Sequence, residues 1–167
     1  MAALDRLIAV LQQMEQSHRD MLALSEVKRQ VIVKNDVDEL IALLNKESRF
    51  MKQQEPLEIE RQSAVHELLQ ERGIKSMLNL NITEISKLIF DPADKLRLLE
   101  VQKKLAGTLQ ELKEINQLNQ MLIEQSLMFI DLSMDIFASR PEQDATYQHP
   151  ADKNGNPGRI GLFDTRA

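Results

Sequence analysis

Apolar residues recur at helical spacing in three long stretches, and polar turn signals separate the stretches. In the first, Leu4, Leu7, Leu11, Met14, Met21 and Ile32 lie on one seven-residue seam, interrupted by His18, Ser25 and Lys28. In the second, Val37, Leu40, Ile41, Leu44, Met51, Val65, Leu68 and Leu69 share a face. In the third, Leu98, Leu105, Leu109, Leu112, Ile123, Ile130 and Phe137 continue a seam that Asn116 and Asn119 interrupt. A three-and-four spacing of this kind marks amphipathic helices.

The boundaries are marked chemically. Asp36, with Glu39 three residues on, reads as a helix N-cap. Gly73 follows Glu71 and Arg72 as a C-terminal stop. Asp91 would cap a helix that starts at Pro92, and Pro141 lies just past the end of the third pattern. The expected helices are about 3–34, 36–72 and 92–138, with a short one near 83–90 capped by Thr83. The fold class is all-α: an elongated antiparallel bundle of three long helices with a short connecting helix, covering 1–138. At 1.5 Å per residue the long helices would measure about 50 to 70 Å. Pro56 removes a backbone donor inside the second helix, which predicts a kink or break there. Gly107 would permit a close helix contact or sit exposed. Residues 139–167 lose the periodicity and hold three of the five prolines and three of the five glycines, so they read as a flexible, disordered tail.

The stretch MLIEQSLMFIDLSMDIF at 121–137 is unusually apolar: eleven of its seventeen residues are Met, Leu, Ile or Phe. On a wheel of about 100° per residue, Gln117, Glu124, Asp131 and Asp135 form one thin polar stripe. Most of the remaining arc is apolar, about twice the width that a bundle helix needs. One flank is Met121, Leu132 and Ile136; the other is Leu127 and Met134; Phe129, Ile130 and Phe137 lie between. Glu124, Asp131 and Asp135 argue against a membrane span, which needs about 20 apolar residues with few charges. Three readings remain: cover by the segment at 77–90, a homo-oligomer interface, or a surface that accepts another protein's helix. Flexible Met and Leu suit the last, with Asn116, Asn119, Ser126 and Ser133 setting register inside the seam.

Composition narrows the function. The 167 residues carry a net charge of −5, with no Cys, no Trp and 4% aromatic residues. That excludes thiolate chemistry and disulfides, and it lacks the basic footprint of a nucleic-acid binder. The start MAALDRLIAVLQQMEQ is not that of a signal peptide, so a cytoplasmic location is expected. His18 and His66 have no partner at ligand spacing, and Gln70 stands where a zinc-protease motif would place its second histidine. Asp36-Val37-Asp38 lacks the glycine and glutamate of a calcium loop. The glycines at 155–161 have no strand before them. No enzyme, metal or cofactor is expected.

The stretch VIVKNDVDELIALLNKESRFMKQQEPLEIERQ resembles the core signature of the FlgN family of flagellar export chaperones. The match lies in Asp36, Leu40, Glu47, Glu60 and Arg61, and in Asn116 and Asn119 in the last helix; it spans roughly 1–138. The resemblance implies a cytoplasmic chaperone for hook–filament junction proteins, substrates of flagellar type III secretion. It implies that the C-terminal helix contacts cargo. The wheel selects the same helix, and the contact residues expected there are Asn119, Met121, Leu122, Ile123, Ser126, Leu127, Phe129, Ile130, Leu132, Met134, Ile136 and Phe137. It also implies delivery by the C-terminal part, with Tyr147 as the aromatic that docks on the export gate. The chaperone would be a monomer or weak homodimer. The alternative is a self-associating helical adaptor with no secretion role.

Overall fold

The computed structural model describes residues 2–75 and 80–139, and all its regular elements there are helical. They are α1 (Ala2–Lys34), α2 (Val37–Glu71), α3 (Ile82–Lys87) and α4 (Pro92–Ala138). The chain divides into two compact units, 1–128 and 129–167. Of the expected tail at 139–167, residues 140–167, with Tyr147, lie outside the described residues, as do residues 76–79.

The turn between α1 and α2 takes two residues. Asn35 adopts φ 55° and closes α1 with Asn35 N–H to Ile32 O (3.0 Å) and Asp36 N–H to Val31 O (3.2 Å). This left-handed closure satisfies two carbonyls that would otherwise lack partners. Asp36 then caps α2, its carboxylate accepting from Glu39 N–H at 3.0 Å. Gly73 ends α2 in the same way at φ 75°, and Ile74 N–H reaches Leu69 O at 2.9 Å. Asp91 caps α4 through Asp94 N–H at 2.9 Å. Asn81 caps α3, not Thr83: its side chain accepts from Glu84 N–H while Glu84 reaches back to Asn81 N–H. This reciprocal box satisfies two donors at once, which places the start two residues earlier than Thr83 would.

Within the first unit, cross-helix pairs fix the directions. Ala3 with Glu71, Arg6 with Glu67, Ser17 with Gln54 and Lys28 with Glu47 run in opposite order along α1 and α2. Asp5 with Arg97, Glu15 with Thr108 and Ser25 with Asn116 run in the same order along α1 and α4.

Each helix turns a strict heptad seam inward. On α1 it is 4, 7, 11, 14, 18, 21, 25, 28 and 32, all buried or half-buried. His18, Ser25 and Lys28 therefore do not break the seam; they face inward as part of it. On α2 the inward row is 40, 43, 47, 50, 54, 57, 61, 64 and 68. This corrects the sequence expectation, which placed Val37, Ile41, Leu44 and Met51 on the packed face. All four are exposed. Hydrophobicity picked the neighbouring stripe because the true one carries Glu47, Gln54 and Arg61, and two of these find polar partners on α1. On α4 the row 98, 101, 105, 108, 112, 115 and 119 faces in, so Leu109 and Ile130 lie outside the core and Thr108 and Asn119 inside it.

The seams divide the first unit into an oily part and a polar part. Leu4, Leu7, Leu11, Leu68, Leu69, Ile85, Ile89 and Leu98 form one buried cluster. Burying each such side chain is worth about 1.5–3 kcal/mol. Toward the α1–α2 turn the core becomes layered with polar pairs. Ser17 with Gln54, Ser25 with Asn116 and Asn119, and the half-buried ion pair of Lys28 and Glu47 (2.6 Å) replace apolar contacts. Such layers fix register but add little net stability.

Pro56 does not break α2, which is continuous through it. Pro56 and Lys52, whose carbonyl loses its amide partner, are both exposed, so water can take the missing bond. A Cβ at Gly107 would meet nothing within 4 Å, so this glycine serves no close helix contact.

Candidate functional site

The polar end of the first unit combines buried polar groups with uncovered apolar ones. Asn119 is 1% exposed and donates through Nδ2 to the Ser25 carbonyl at 2.9 Å. Ser25 in turn donates from its hydroxyl to Asn116 Oδ1 at 3.2 Å. These asparagines set register between α4 and α1 of the same chain. Asn119 is therefore not a surface contact residue, contrary to expectation. Leu122, Ile123 and Ser126 are half-buried, because they continue or flank the inward seam. Ser126 and Ser133 donate to Leu122 O and Phe129 O of their own helix, at 2.9 and 2.7 Å. Their hydroxyls are thus satisfied locally without a partner protein.

The rest of the expected set lies on the surface. In the first unit Met121 and Leu127 are exposed, and so are Leu118 and Met128, which the wheel had not selected. Met128 is 71% exposed, yet it sits beside the acidic stripe, where an apolar arc drawn from the wheel stops. In the second unit Phe129, Ile130, Leu132, Met134, Ile136 and Phe137 are exposed. The described part of the 77–90 segment does not cover α4 here. Leu80, Ile82, Ile85, Leu88 and Ile89 pack instead on the cluster around Leu4, Leu69 and Leu98.

Between α1, α2 and α4 of the first unit lies an open cleft of about 390 Å³. Met21 and Lys28 of α1, Glu47 and Met51 of α2, and Asn116, Asn119, Gln120, Ile123 and Glu124 of α4 line it. It joins residues of three helices far apart in sequence, which no local pattern marks.

The histidines occupy unrelated positions. His18 lies half-buried in the α1 seam, and burial holds its pKa below the usual imidazole range. His66 pairs with Gln70 at 2.8 Å. Among the described residues no group of three His, Asp or Glu side chains could hold a metal ion, and no helix is long and apolar enough to cross a membrane.

Comparison with known families decides the identity. The family model described as FlgN protein matches residues 1–155. The chain belongs to the FlgN family. No curated protein and no solved structure matches it. FlgN proteins are flagellar export chaperones, a class tied to type III secretion, and this chain carries that general role.

Proposed function

We propose that this FlgN-family protein holds hook–filament junction subunits in the cytoplasm, keeps them unassembled and delivers them to the flagellar export gate. An amphipathic terminal helix of the cargo lays its apolar face on α4, in the manner of a helix docked on a groove. The observation that supports this is the run of exposed Met, Leu, Ile and Phe side chains on α4, with Leu127 and Met128 in the first unit and Phe129, Leu132 and Met134 in the second. Exposed apolar side chains in such number mark an interaction site, and Met-rich surfaces repack around different partners. Delivery is assigned to residues 139–167, with Tyr147 as the aromatic that engages the gate.

Leu127→Lys combined with Met134→Lys tests the reading. Both positions are exposed, so the fold should survive by circular dichroism. Co-purification of the junction subunits is expected to be lost; unchanged co-purification with an intact fold refutes the proposal. Light scattering separates it from a self-associating adaptor, since the chaperone should form a defined complex with cargo and not a large assembly of its own.

A further inference from the structure

We infer that the cargo helix sits in the cleft between α2 and α4, so that the exposed stripe of α2 is the second wall of the docking site. This inference rests on the chaperone reading above and adds to it a partner chemistry and a set of residues on α2.

The pairs of Ser25 with Asn116 and Asn119, and of Lys28 with Glu47, place α2 residues 44–51 and α4 residues 116–124 at one height along α1. Met51 and Ile123 enter the cleft from opposite sides. Leu44 lies seven residues before Met51, on the same face of α2, and both are exposed. Seven residues of helix span about 10.5 Å, the repeat of an amphipathic helix's own stripe.

The polar groups of the cleft specify the occupant. Glu124 at the rim accepts from Gln120 but has no cation within ion-pair distance among the described residues. Lys28, the cleft's own cation, is taken by Glu47. The open charge of the cleft is therefore Glu124, and a helix with Lys or Arg beside its apolar stripe complements it. A second copy of this chain would bring another Glu124 and no spare cation from the same patch, which disfavours a symmetric dimer here.

The test uses the full chain and a labelled synthetic peptide of the junction subunit's terminal amphipathic helix. Leu44→Lys and Met51→Lys should each weaken peptide binding by about tenfold or more, with unchanged circular dichroism. Reversing the peptide's basic residues to Glu should weaken binding, and Glu124→Lys should restore it. If both α2 variants bind like the unmodified chain while Leu127→Lys with Met134→Lys does not, the α2 wall is wrong and the chaperone reading stands. If that α4 variant also binds normally, both are wrong. The chain has no cysteine, so Met51→Cys carrying a thiol-reactive photo-crosslinker should trap the peptide; trapping a second copy or residues 140–167 in the peptide's presence overturns the assignment.

Discussion

Asn119 of α4 gives its side-chain amide to the backbone carbonyl of Ser25 on α1, 2.9 Å away and out of contact with solvent. The bond ties together two helices that are far apart in sequence and lie side by side. Asn119→Ala should lower stability by about 1 kcal/mol, the net worth of one buried hydrogen bond. Urea denaturation checks this through a lower midpoint at unchanged slope.

His18 gives the stability a pH dependence of definite sign. Its imidazole is kept neutral by burial, so its folded pKa lies below the unfolded value of about 6.5. The unfolded chain then binds more protons as pH falls through that range. Stability is fully present above about pH 6.5 and declines as pH drops toward the folded pKa. Thermal melts from pH 7.5 down to pH 5 should show the decline, and His18→Leu should flatten it. The lowered pKa of Glu58, held down chiefly by its hydrogen bonds from Arg61, acts only at lower pH.

The two left-handed helix ends offer a paired test. Gly73→Ala meets no atoms within 4 Å, so its whole effect is backbone strain at φ 75°, about 1–2 kcal/mol. Asn35→Gly, at φ 55°, should instead be neutral or stabilising, since glycine takes this conformation without a Cβ penalty. Chemical denaturation of the two variants should move in opposite directions or leave Asn35→Gly unmoved.

Deleting 140–167 should leave cargo binding intact and impair export, because the proposed contacts lie on the helices. Titration of the junction subunit into the truncated chain checks the first point, and a large loss of affinity would contradict the division of labour.

Much of the fold was legible because helix signals are local. Asp36, Gly73, Asp91 and Pro92 act on the backbone within a few residues of themselves, and they mark real ends. The α1 seam was legible too, including the places where it turns polar. Thr83 misled because Asn81, with Glu84 three residues on, forms the better cap. Pro56 misled because its cost depends on whether water reaches the orphaned carbonyl, which is a question of exposure.

The sequence by itself determined the helices, their caps and the presence of more apolar surface on α4 than one bundle can bury. Tertiary structure decided which stripe of each helix faces inward. On α2 two heptad rows compete, and the one that carries Glu47 and Gln54 faces inward, where these meet Lys28 and Ser17 of α1. That choice leaves Val37, Ile41, Leu44 and Met51 in solvent. Polar groups gain their worth only from partners brought beside them, and those partners are distant in sequence.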